Sequence, residues 1–200
     1  MNQLKSIFTS VFVLCLIVIS SAALYGQQVE PSYEISLQLV IGSSDTADRS
    51  ELPTELAAVS RQLKRRYSFA SYKVATTFLG RISNTGTFQY QSVANISGKE
   101  YTPGSPTFLD WSVSEFRSMP TSKGQTGFQA QSFRFGAKVP VVTGAREEAG
   151  KSSPIINYES IGLSLNKIGL SENVPTLIGT INLPGTSGTI CLVMTVRSAD

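Results

Sequence analysis

Tyr33 to Ile41 reads YEISLQLVI, and its alternation decides the fold class. Ile35, Leu37, Leu39 and Ile41 fall on one side, while Glu34, Ser36 and Gln38 fall on the other. Apolar residues at period two mark a strand with one buried face. Downstream, Ser71 to Ile82 alternates again through Tyr72, Val74, Thr76 and Phe78. Near the C-terminus, Ile190, Leu192, Met194 and Val196 alternate with Cys191, Val193 and Thr195. Between the first two strands the period changes. Leu52, Leu56, Val59, Leu63 and Tyr67 recur every three or four residues, the apolar stripe of an amphipathic helix. Ser50 is placed to cap that helix, and Pro53 is tolerated in its first turn. Lys64, Arg65 and Arg66 fall at its end, where cations offset unsatisfied carbonyls.

After Ile82 the helical period does not return. Thr87 to Val93, Phe108 to Phe116, Phe128 to Val142, Ser160 to Leu165, Leu177 to Leu183 and Thr189 to Arg197 read as strands between Gly, Pro, Ser and Asn clusters. The expected class is therefore α+β, mainly β: a βαβ-like N-terminal opening followed by an antiparallel β meander or sandwich. Gly98 to Pro106 and Gly144 to Pro154 read as irregular surface loops.

The N-terminus carries a different signal. Lys5 precedes an apolar run from Val11 to Ile19, and Ser20, Ser21, Ala22 and Ala23 follow. Charge, then an apolar stretch, then small residues is the order of a secretory signal peptide. The expected organisation is a signal peptide over 1–26 and a single β-rich domain over 27–200. Its localisation would be exported: the periplasm, the outer membrane or the medium. Cys191 is then the one cysteine left, so no internal disulfide forms and the domain relies on hydrophobic burial. Flanked by Ile190 and Leu192, Cys191 reads as a packing residue.

Composition excludes several kinds of chemistry. The chain has no histidine, which removes Ser–His–Asp and Cys–His catalysis and most zinc sites. Asp45, Asp48, Asp110, Glu115, Glu147, Glu148 and Glu159 are scattered without metal-ligand spacing. Gly144 to Ser152, GAREEAGKS, has five residues between its glycines where a phosphate loop has four. It also lacks a following helix and carries two acids in the cradle. The Lys64-Arg65-Arg66 run has no interleaved aromatics for stacking bases, so no nucleic-acid partner is expected. Asn95-Ile96-Ser97 matches a glycosylation acceptor, a triplet common by chance. No catalytic, metal or cofactor residue is assigned, and no cofactor is expected.

Phe133 to Leu183 carries a resemblance. Gly136, Val139 and Pro140 form a Gly-x-x-Val-Pro element, and a variable loop follows. Tyr158, Ile161, Gly162 and Leu165 then match a Tyr-x-x-Val-Gly-x-x-Leu element, with Ile161 in place of Val. In this spacing the segment resembles the bacterial secretin family, the ring-forming outer-membrane channels of type II and III secretion and type IV pilus systems. The family's later Gly-Gly element and paired prolines have no counterpart here. The resemblance therefore implies a secretin-like β-domain in an envelope assembly or self-association, without a complete pore. From the residues alone, Pro140 reads as the end or edge of a strand, and Gly162 as a bulge or a close backbone approach. A generic hairpin with a long loop accounts for the same residues. The alternative function is a free-standing secreted or periplasmic β-domain that binds a ligand through aromatics such as Trp111, Phe116, Phe128 and Phe133. Those aromatics equally suit a core.

Overall fold

A computed structural model describes residues 30–44, 51–94, 105–120, 126–148, 151–183 and 188–199. The expected signal peptide, the cap at Ser50, Asp45, Asp48 and the Asn95 triplet lie outside them. Residues Pro31–Asp200 gather into one compact unit. Strand β1 (Ser32–Ser43) is followed by a 3₁₀ turn (Thr54–Leu56) that runs into helix α1 (Ala57–Arg66). Then come β2 (Ser71–Ser83), β3 (Phe88–Ala94), β4 (Thr107–Pro120) and β5 (Thr126–Glu148). Strands β6 (Lys151–Ser171), β7 (Thr176–Asn182) and β8 (Thr189–Ser198) complete the chain.

Two four-stranded antiparallel sheets result, in the orders β2-β1-β8-β7 and β3-β4-β5-β6. The second sheet is a meander. In the first, the last strand inserts beside β1, with Ile35 opposite Val196 and Leu39 opposite Leu192. The strand–helix–strand opening is present, but β1 and β2 are antiparallel, Tyr33 opposite Ile82 and Ser43 opposite Ser71. The helix thus lies in the connection between two antiparallel neighbours and is no crossover between parallel strands.

Alternation places the core. Ile35, Leu37 and Leu39 of β1 and Ile190, Leu192, Met194 and Val196 of β8 are buried toward the second sheet. That sheet answers with Leu109, Trp111 and Val113 of β4 and with Phe133, Phe135, Ala137 and Val139 of β5. At one end, Tyr33 meets Phe128 edge-on at 4.9 Å while Phe116 and Phe128 stack at 5.3 Å. The four aromatics named in the ligand-binding alternative, Trp111, Phe116, Phe128 and Phe133, are all buried in this core.

A second apolar layer explains why β8 is buried at every residue from Thr189 to Val196. Leu56, Val59 and Leu63 of the helical segment pack with Val40, Tyr72, Cys191 and Val193 on the opposite face of the first sheet. Each fully buried aliphatic side chain contributes about 1.5–3 kcal/mol, so packing against the sheet holds a ten-residue helix that would be marginal alone. No side chain caps its N-terminus by a hydrogen bond, and Lys64, Arg65 and Arg66 occupy its last turn. Val40 faces the helix in the regular phase of β1, and it is β2 that changes phase. Ala75 is an extra residue opposite Leu39 and Val40, so Tyr72 and Val74 face the helix while Phe78 and Ile82 beyond it face the core.

The meander has its own phase change. Glu115 in β4 and Lys167 in β6 adopt left-handed backbone, with φ of 50° and 56°. They flank Gln131, between the pairs Ser114–Ser132 and Phe116–Ala130 on one side and Ser132–Asn166 and Ala130–Ile168 on the other. An extra outward residue at this level keeps Phe116, Phe128 and Ala130 in the core beyond the bend. Past β6, Glu172 bridges to Val196, and its Oε1 accepts hydrogen bonds from the backbone N–H and the hydroxyl of Ser198. This ties the end of one sheet to the other.

Cys191 is fully buried, and burial pushes its thiol up to about 11. At pH 8 only on the order of a thousandth of it is thiolate, and the thiolate is the nucleophile. Iodoacetamide is therefore expected to leave Cys191 unmodified in the native chain and to label it in urea, read by peptide-resolved mass spectrometry. Rapid native labelling would show that the helix layer opens.

Candidate functional site

The seven secretin-like residues fall on one structure, the β5–β6 hairpin, and the pairing brings the two halves of the motif together. Gly136 lies opposite Gly162, Pro140 opposite Tyr158 and Val139 opposite Glu159. Ile161 pairs with Ala137 and Leu165 with Phe133, so both are partly buried on the core side. The stretch from Gly144 to Pro154 is not the irregular loop expected from its composition. After a register shift between Val142 and Gly144, pairing continues from Gly144–Ile155 to Glu148–Lys151. Alternation is hidden here because no core lies beneath. Residues 142–147 and 152–155 are exposed on both faces of a two-stranded ribbon.

Pro140 does not end β5. It sits just past Lys138, the last β5 residue with a partner in β4, so its missing N–H interrupts no bond to that strand. Gly162 is a close backbone approach: a Cβ there would come 2.8 Å from the carbonyl oxygen of Phe135. Strand β6 forms the outer edge of its sheet along 21 residues. Such an edge presents unpaired N–H and C=O groups.

The outward face of the same sheet carries a groove of about 700 Å³. Because Leu109 and Trp111 point into the core, Phe108 and Asp110 must point away from it. On β5 the corresponding outward residues are Gly136 and Lys138, and on β3 they are Gln91 and Val93. The register lines them up: Val93, Phe108 and Lys138 form one row, and Gln91, Asp110, Gly136 and Gly162 the next. Tyr158 reaches across from β6, its ring 5.7 Å from that of Phe108 at 52°. Phe108 is 45% exposed, Tyr158 43% and Val93 57%. The Asp110 carboxylate lies over Gly136, where a Cβ would meet Oδ1 at 2.6 Å.

Among the described residues no group of three His, Cys, Asp or Glu is placed to hold a metal. Glu115 pairs with Arg117 at 3.6 Å, both side chains exposed. No helix among the described residues is long and apolar enough to cross a membrane. Sequence reasoning found Tyr158 through the motif but passed over Phe108 as a surface residue. The signal was present: Phe108 is out of phase with Leu109, Trp111 and Val113, and a strict period-two reading puts it on the opposite face from Trp111. No protein-family model matches the chain, and none of the curated proteins matches it.

Proposed function

We propose that this chain is a non-catalytic, exported envelope protein whose β-sandwich serves in a secretion- or pilus-type assembly, with the β5–β6 hairpin as its contact element. The observation that carries this reading is the in-register pairing of Gly136 with Gly162, which joins the two secretin-like elements on one hairpin with an open edge. A ribbon exposed on both faces has little to pack against within its own domain. Long loops and ribbons on rigid strands commonly carry contacts. Pro154, Glu159 and Lys167 along β6 are the residue types that keep an open edge from pairing indiscriminately.

Fractionation of cells expressing the full chain, followed by unheated gels and sizing, tests the proposal. The expected result is a high-mass species in the envelope fraction that is lost when residues 145–153 are replaced by a two-residue turn. A monomer in the soluble fraction, or an assembly indifferent to that replacement, would overturn it.

A further inference from the structure

Beyond assembly, we propose that the groove between Phe108 and Tyr158 is a binding site for a neutral glycan chain. Two rings held 5.7 Å apart and nearly half exposed, with Val93 beside them, stand out on an outer sheet face that otherwise carries residues such as Gln89, Gln91, Asp110, Ser112, Arg134, Lys138 and Ser164. They form no part of the core, and Pro140, the strand partner of Tyr158, is itself buried. Large exposed apolar groups rimmed by polar ones mark binding surfaces. Aromatic faces suit the C–H faces of a pyranose ring, an apolar surface on an otherwise hydroxylated molecule.

The rim selects among ligands by charge and hydrogen bonding. Asp110 supplies acceptors only, Lys138 supplies donors only, and the Gln91 amide supplies both. One negative and one positive group beside the rings balance, which disfavours a ligand of strong net charge of either sign. Hydroxyl groups donate to the carboxylate and accept from the ammonium, so a polyhydroxylated neutral chain satisfies all three at once. The groove is open rather than enclosed, a shape for a chain rather than for a buried small molecule.

Electrophoresis of the full chain through gels containing neutral polysaccharides (cellulose ether, xylan, mannan, glucan, glycol chitin), with titration calorimetry on the matching hexasaccharides, tests the site. Retardation by at least one polymer is expected. F108A and Y158A should each weaken hexasaccharide binding by about tenfold or more, whereas Y158F, which keeps the ring, should stay within about threefold. Circular dichroism on each variant separates this result from folding, and sizing of F108A, on β4 outside the hairpin, separates it from assembly; both should be unchanged there. No retardation by any polymer, or binding that survives both alanine variants, would overturn the inference. Binding confined to peptides or to charged polymers would overturn it as well, and none of these outcomes bears on the hairpin as an assembly contact.

Discussion

Replacing Trp111 with alanine is expected to destabilise the sandwich by about 3–5 kcal/mol, measured as a shift of the urea midpoint at constant m-value. Trp111 is among the largest fully buried side chains and projects from the middle of β4. Phe88 lies 4.8 Å from its ring and Tyr90 6.3 Å, so removing the indole leaves a void lined by rigid rings from β3. Rings on paired strands cannot collapse into the gap without breaking the Tyr90–Trp111 and Phe88–Val113 register. The cavity term is therefore expected at full size. Trp111→Phe keeps a ring in place and removes an indole N–H that has no acceptor among the described residues. Its expected cost is lower, about 1 kcal/mol, because a buried unsatisfied donor itself opposes folding. A cost below about 1 kcal/mol for the alanine variant would mean that the two sheets close up around the site.

The strands and the helix were legible because their periods record which faces are covered. Ile35, Leu37 and Leu39 alternate over one core, and Leu56, Val59 and Leu63 recur at helical spacing over another. What alternation cannot specify is partnership. Nothing local in Thr189 to Arg197 says that β8 inserts beside β1, since that pairing joins residues more than a hundred positions apart. Nor did the strand–helix–strand order at the start reveal that β1 and β2 are antiparallel: a long connection permits either direction. The ends of β5 and β6 escaped for the opposite reason. Beyond Val142 the ribbon has water on both faces, so its composition is that of a loop although its backbone is paired. At the site, Gly136, Pro140, Tyr158 and Gly162 were readable from their spacing, and their convergence needed the register. Phe108 needed only a stricter use of phase.

The two motif glycines should respond differently to the same added methyl group. Gly162→Ala is expected to cost about 1–3 kcal/mol, the range for overpacking that forces a backbone to move. Its Cβ would sit 2.8 Å from the carbonyl oxygen of Phe135, an atom fixed in the β5–β6 ladder whose neighbours Phe135 and Ala137 are buried. Relief requires parting the strands, so the loss should appear first in the hairpin, as faster amide exchange from Ala137 to Val142. Gly136→Ala meets Asp110 instead, with Oδ1 at 2.6 Å. That carboxylate is the far end of an exposed side chain and can swing toward water. Alanine also suits a strand better than glycine by roughly 0.5–1 kcal/mol, so Gly136→Ala should be neutral or slightly stabilising. Its consequence belongs in the groove, where the displaced carboxylate changes the rim beside Phe108. Equal costs at the two positions would show that what restricts them is not the contact each Cβ would make. A stability loss confined to Gly162, with the groove altered only by Gly136→Ala, would assign one glycine to holding the hairpin closed and the other to shaping the surface above it.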